Sequence, residues 1–145
     1  MKSIPTISFA DLLRKDKESI NKLSIALETY GFFSIKDHGL SKELIDKCYK
    51  KSKEFFNLST DTKIKYSNSK LAGARGYTPF GIETALGEDI PDLKEFWHHG
   101  PVIDKSYDNR IQENIIISEI KNFNTSFDKL FIELNTFAID LLSCI

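Results

Sequence analysis

The residues through which this chain could do chemistry are few. It has three histidines, His38, His98 and His99, and two cysteines, Cys48 and Cys144. Glu95 stands just before the paired histidines. Glu95, His98 and His99 are therefore the best candidates for a metal site, because imidazoles and carboxylates are common ligands of divalent metals. The spacing argues for a plainer arrangement. In a strand, successive side chains point to opposite faces, so Glu95, Trp97 and His99 project one way and His98 the other. Two adjacent histidines then splay apart, one inside and one outside. His38 precedes Gly39 and reads as a turn or packing residue. No histidine stands with a serine or cysteine nucleophile in a recognisable motif. Arg75-Gly76-Tyr77 is the most interesting polar block. A guanidinium in a loop flanked by glycines can grip a carboxylate as a bidentate fork. Arg75 is thus a candidate carboxylate-binding residue, and Tyr77 stands beside it. The alternative is that Arg75 pairs with Glu83 or Glu95 and only fixes the loop, while the Tyr77 ring packs beneath it. Gly73-x-x-Gly76 is no nucleotide-binding fingerprint, since it lacks the third glycine and a lysine followed by Ser/Thr.

These residues need elements to position them. The stretch from Gly31 to Gly39 predicts a strand with a turn at its end. Phe33 and Ile35 fall on one face, and Phe32, Ser34 and Lys36 on the other. Ile4, Ile7 and Phe9 surround Pro5 in a short β-type run, with Pro5 at a strand start or edge. Asp11 to Lys17 reads as a polar connector or short helical turn. From Asp16 to Tyr30 the period becomes helical, with Ile20, Leu23, Leu27 and Tyr30 on one stripe. Asp16 is the predicted N-cap, and Gly31 ends the pattern. Ser41 caps a second helix running to about Asn57. Its buried face is predicted to carry Leu44, Ile45, Cys48, Tyr49, Phe55 and Phe56, and its solvated face Lys47, Lys50, Lys51 and Lys53. Ser59-Thr60-Asp61 starts a short third helix. Between Tyr66 and Pro91 periodicity gives way to a glycine- and proline-marked loop, long enough to suggest function or closure over something. Lys94 to Gly100 regains strand character, and Asp104 to Asn114 is polar. A last helix, with Ser118 as predicted cap, keeps one apolar phase from Ile120 to Leu142. Helices flanking a central strand imply an α/β or α+β domain.

Length and composition set outer bounds. At 145 residues, with 41% apolar and 28% charged residues, the chain is long enough to bury a real core as one domain. A formal charge of −1 gives no electrostatic reason to expect nucleic acid or an anionic membrane as partner. Two cysteines make no disulfide framework, so buried thiols in a reducing compartment are expected. The N-terminus has no apolar run of signal-peptide length, and no segment approaches the ~20 apolar residues that span a bilayer. A cytoplasmic location is the resulting expectation. The chain stops at Leu141-Leu142-Ser143-Cys144-Ile145 without glycine, basic last turn or proline. That ending reads as a chain cut short, or as a helix that needs another element to cover it.

Four blocks carry a family resemblance. Tyr30-Gly-Phe-Phe-Ser-Ile-Lys-Asp-His-Gly-Leu40 resembles the "GFF-x-x-x-x-HG" signature in the N-terminal region of isopenicillin N synthase-like, non-haem iron(II), 2-oxoglutarate-dependent dioxygenases. Ile4 to Phe9 is similar to that family's first strand. Arg75 to Gly81 and Asp92 to His98 resemble two further blocks, in the expected order. The resemblance covers nearly the whole chain but only the N-terminal half of such enzymes. It implies an α+β architecture, with helices packed on a few strands as an incomplete part of a jelly-roll (double-stranded β-helix) oxygenase fold, ending in a long helix. Residues 1–145 would be the N-terminal domain, with the catalytic jelly-roll core absent. In the family, iron is held by a His-x-Asp/Glu pair and a distant histidine, and an Arg-x-Ser block grips 2-oxoglutarate. Neither motif occurs here: residues 40, 100 and 101 are Leu, Gly and Pro, and Arg14, Arg75 and Arg110 are followed two positions on by Asp16, Tyr77 and Gln112.

Catalytic and metal-ligating residues are therefore expected to be absent from this chain, which alone is expected to be inactive and to bind no iron(II) tightly. Iron(II), 2-oxoglutarate and a small-molecule substrate are implied for the complete enzyme. The region of Arg75 and Tyr77 would face the substrate. The expected partner is a missing C-terminal catalytic core or a second copy, with neither nucleic acid nor membrane involved. A reading of another class is a non-catalytic binding or interaction domain derived from the same fold, docking through a sheet edge and the apolar last helix.

Overall fold

The computed structural model describes residues 3–71, 73–87, 89–103 and 110–145. The chain divides into two units, Met1–Ser41 with Glu133–Ile145, and Lys42–Ile132.

In the first unit, strand β1 (Thr6–Ser8) pairs parallel with β2 (Ser34–Lys36), Ile7 opposite Ile35. Parallel strands need a crossover, and helices α1 (Phe9–Leu13) and α2 (Lys17–Tyr30) supply it. Ser8 accepts a hydrogen bond from the Asp11 amide at 3.4 Å, and Asp16 accepts one from the Ser19 amide at 2.8 Å. That second bond holds the Asp16 carboxyl below its ordinary range. Gly31 closes α2 at φ +75°, the left-handed conformation that favours glycine. Both predicted ends of this helix therefore stand. The predicted stripe needs correction: Ile20 is exposed, and Ala26 is fully buried beside Leu23. A small residue lets the helix approach the strands closely, which a periodicity of large side chains does not reveal. The core is Ile7, Leu12, Leu23 and Ala26, with Leu27, Phe33, Ile35, Leu141 and Cys144 packed on it. The strand predicted from Gly31 to Gly39 is only Ser34–Lys36. Beyond it, Asp37 takes φ +57° and His38 Nδ1 accepts the Leu40 amide, so His38 is a turn residue.

In the second unit, α3 (Lys42–Phe56) and α4 (Thr60–Ile64) precede an antiparallel pair, β3 (Gly76–Thr78) and β4 (Phe96–His98). Ser59 caps α4, the short helix expected to start at Ser59-Thr60-Asp61. The long loop between the strands is tied across by a bridge from Thr84 to Pro91. Phe55 is fully buried at the centre of the core, with Tyr66, Tyr77, Ile117, Ile120 and Phe123 around it. Rings meet it edge-on, Trp97 at 5.0 Å and Tyr77 at 5.7 Å between centroids. Lysine placement differs from expectation. Lys51 is buried, its ammonium donating to the Lys121 carbonyl, while Tyr49 is exposed. The lysine stem covers apolar surface and its head finds a backbone acceptor.

The last helix, α5 (Phe123–Leu142), belongs in part to each unit. It starts later than a cap at Ser118 would give, because Asn122 takes φ +58° just before it. The architecture is α+β with a long terminal helix. The first part of the polar stretch from Asp104 to Asn114, residues 104–109, lies outside the described residues. Among the described residues, no helix is long and apolar enough to cross a membrane.

Candidate functional site

The β3–β4 pair brings most of the chemically interesting residues together. Tyr77 faces Trp97 across the ladder, and Gly76 faces His98. Alternation puts Glu95, Trp97 and His99 on the Tyr77 face, and His98 on the other. The splaying of the two histidines is observed. His98 is exposed and its Nδ1 meets the Gly73 carbonyl. The His99 side chain is only 7% exposed, and its Nε2 meets Asp128 Oδ1 at 2.7 Å. Asn114 Nδ2 lies 3.2 Å from the same nitrogen but is itself a donor, so the Nε2 hydrogen belongs to Asp128. His99 Nδ1 is then a buried acceptor with no partner among the described residues. No group of three His, Cys, Asp or Glu residues able to hold a metal ion occurs among the described residues. The donors at this site thus do not fit the iron that the resemblance implies for the complete enzyme.

Glu95 is the hub of a buried polar cluster. Its Oε2 accepts from Lys63 Nζ at 2.7 Å and from the Tyr77 hydroxyl at 2.5 Å. Lys63 also donates to the Phe56 carbonyl at 3.1 Å. Burial pushes the Glu95 carboxyl up, but the hydrogen bonds from Lys63 and Tyr77 outweigh it and the net shift is downward. Burial, with the Glu95 carboxylate beside it, pushes the Tyr77 hydroxyl up to about 12. Tyr77 is therefore a buried, protonated donor whose hydroxyl is committed to Glu95.

Arg75 is placed differently. Neither predicted counter-ion is on it: Glu95 takes Lys63, and Glu83 takes Lys94 at 2.8 Å. Its guanidinium donates through Nη1 to the neighbouring Ala74 carbonyl at 2.6 Å, and its Nε is buried without an acceptor among the described residues. The group lies across Gly100, where an added Cβ would fall on Cζ and Nη2 and within 2.5 Å of Nε. Gly100 is held in turn by Asn114, which accepts its amide and donates to its carbonyl, each at 2.8 Å. Beside Asp128, a pocket of about 240 Å³ is lined by Pro101, Val102, Ile103, Asn114 and Ile116 among others.

Sequence reasoning singled out Arg75, Tyr77, Glu95 and His99, but it is the β3–β4 pairing that brings their two stretches together. That reasoning missed Lys63, Asp128, Asn114 and Gly100. A lone lysine in a short polar helix carries no signal of burial, and the contact from Asp128 to His99 spans 29 residues.

Known proteins are similar to this chain in sequence and fold. Residues 4–119 match the family described as non-haem dioxygenase in morphine synthesis, N-terminal. The 2-oxoglutarate-dependent dioxygenase frbA of Dothideomycetidae sp. (strain 11243) is 34% identical over 128 residues, 80% of this chain and 37% of that protein. Homoarginine-6-hydroxylase 2-ODD-C23.1 of Arabidopsis thaliana is 33% identical over 105 residues, 65% of this chain and 31% of that protein. A 2OG-Fe(II) oxygenase family protein from Caulobacter crescentus superposes with a TM-score of 0.86 at 34% identity, covering 100% of this chain and 48% of that one. A full-length Neurospora crassa protein, solved in complex with alpha-KG, has the same fold, with a TM-score of 0.79 at 22% identity, covering 98% of this chain and 46% of that one. The chain spans about half the length of these solved proteins and about a third of the curated ones.

Proposed function

The chain belongs to the non-haem dioxygenase N-terminal family, and from this premise we propose that it is the structural and substrate-facing N-terminal domain of an iron(II)/2-oxoglutarate-dependent oxygenase. The complete enzyme would oxidise a small organic substrate, in a cytoplasmic setting. The observation that carries this reading is that the whole chain superposes on less than half of an oxygenase-family structure. The catalytic jelly-roll, with the iron ligands and the 2-oxoglutarate grip, would belong to the part of the relatives that this chain does not span. What this chain's own residues would do is position. Its short sheets and α5 support the catalytic core. The hairpin of Arg75 and Tyr77 would face the substrate, Arg75 through a guanidinium with no carboxylate partner among the described residues and Tyr77 as the buried anchor beneath it.

The test is to sequence the coding DNA through and beyond the codon for Ile145. An open or shifted frame encoding His-x-Asp/Glu, a distant histidine and Arg-x-Ser supports the reading. A stop followed by unrelated sequence overturns it in favour of a non-catalytic binding domain.

A further inference from the structure

The cavity beside Asp128, about 240 Å³, lies within the second unit. Pro101, Val102, Ile103 and Ile116 give it apolar walls. Ligand sites usually start at about 300 Å³, so a ligand that fits here is small. Two polar side chains of the lining are already spent on the backbone. Asn114 is committed to both backbone groups of Gly100. Asn124 accepts the Ile117 amide at 3.0 Å and donates to the Ile115 carbonyl at 2.7 Å. Both hold the wall together rather than await a ligand.

Asp128 is different. Its Oδ1 takes the His99 Nε2 hydrogen at 2.7 Å and has Asn114 Nδ2 at 3.5 Å, while its Oδ2 has no hydrogen bond among the described residues. The side chain is 29% exposed, so the carboxylate is partly desolvated. Exposed Glu113 adds a second acid to the lining, and no described lysine or arginine joins it. The helix dipole does not account for Asp128. That field falls off within the first turn, and Asp128 stands beyond the first turn of α5. His99 fixes the carboxylate in place. Its buried imidazole is itself held against the Phe127 ring, with centroids 5.6 Å apart. A charged oxygen set in advance at an apolar wall binds an opposite charge at low reorganisation cost.

We propose that this cavity is a binding site for a small primary ammonium on a short apolar body, an alkylammonium. Each part of the ligand follows from a part of the site. The walls cover hydrocarbon, and the Asp128 carboxylate accepts the ammonium hydrogens. A guanidinium fits less well, because its fork needs both carboxylate oxygens and His99 holds one of them. The donor set does not suit a divalent metal ion. Calcium takes about six to eight oxygens, and no group of three His, Cys, Asp or Glu residues able to hold a metal ion occurs among the described residues. The binding is a property of this chain, whatever the complete enzyme oxidises.

The experiment titrates the isotope-labelled 145-residue chain with butylammonium chloride and, in parallel, with the neutral isostere butanol at matched ionic strength. NMR follows the backbone amides of Val102 and Ile116 and the side-chain amide of Asn114, all in the lining. Butylammonium is expected to shift them saturably in the millimolar range, the scale a ligand this small can reach, and butanol to leave them in place. Asp128→Asn keeps an oxygen for the His99 hydrogen and loses the charge, so binding is expected to weaken about tenfold or more. Ile116→Trp fills the cavity from an exposed position and leaves the carboxylate intact. It is expected to cause a similar loss with an unchanged circular dichroism spectrum. Asp46→Asn, on α3, removes a remote charge and is expected to change nothing. No saturable shift in the wild-type chain, an equal response to butanol, or full binding by Asp128→Asn or by Ile116→Trp overturns the site. Tighter binding of methylguanidinium or of calcium than of butylammonium overturns the ammonium assignment. Such failures leave the DNA result beyond Ile145 untouched, and a stop codon there leaves the titration untouched.

Discussion

Replacing Glu95 by glutamine tests the polar hub of the second unit. The substitution keeps the shape and one acceptor oxygen but removes the charge. Lys63 then keeps the Phe56 carbonyl, a neutral amide oxygen shared with Tyr77 and a position 5.5 Å over the Tyr77 ring, but loses its carboxylate. Breaking a buried ion pair by removing one partner costs about 3–5 kcal/mol, because the remaining charge is stranded. The two side chains are 8% and 15% exposed, so burial is nearly complete. The retained carbonyl contacts argue for the low end, about 3 kcal/mol. For a chain of this size that lowers Tm by about 10 °C. Urea melts followed by Trp97 fluorescence measure it directly, since Trp97 packs on Phe55 beside the hub. The double variant Lys63→Met/Glu95→Gln removes the stranded charge and is expected to regain most of the loss, because Tyr77 still has an amide oxygen to donate to. The acid side follows from the direction of the Glu95 shift. A carboxyl whose folded pKa lies below its ordinary 4.5 adds stability above that value and loses it as pH falls through the folded pKa. Glu95→Gln is expected to flatten that acid limb. A loss under about 1 kcal/mol, or a double variant as unstable as the single, would refute the account.

Tyr77→Phe tests the same hub from the alkaline side. A hydroxyl raised from 10.0 to about 12 contributes stability that is full below pH 10 and lost as pH rises toward 12. The stability gap between wild type and Tyr77→Phe should therefore shrink across that window in urea melts, and parallel curves would contradict it. Two glycines separate conformational from steric cost. Gly31 has φ +75° with nothing within 4 Å of an added Cβ, so Gly31→Ala is expected to cost about 1 kcal/mol. Gly76 has φ +82°, and its Cβ would fall on Ile115 Cδ1 and within 2.5 Å of the Tyr66 carbonyl, which accepts the Tyr77 amide. Gly76→Ala is expected to cost about 3 kcal/mol or more; equal thermal shifts for the two variants would show that packing is not the difference. α5 leaves Ile139 and Leu142 59% and 69% exposed, so sizing of the chain should show concentration-dependent association, weakened by Ile139→Lys/Leu142→Lys.

What could be read from the sequence was local. Asp16 and Gly31 announce the ends of α2 because a cap acts on the next three residues and a left-handed glycine on the last turn. Ser59 announces α4 for the same reason. The face carrying Glu95, Trp97 and His99 follows from alternation alone, once Phe96–His98 is taken as a strand. What could not be read needs chain folding over distance. Nothing near Lys63 says that it is buried. Its partner Glu95 lies 32 residues on, just ahead of β4. Ser118 looked like a cap because it precedes an apolar phase, but Asn124 instead accepts the Ile117 amide and donates to the Ile115 carbonyl, ordering the turn that delays α5 to Phe123. The same limit explains Arg75. From the sequence, Glu83 and Glu95 were its natural counter-ions, and both acids are in reach of the hairpin. Lys94 and Lys63 take them first, and the seat on Gly100 holds the guanidinium apart.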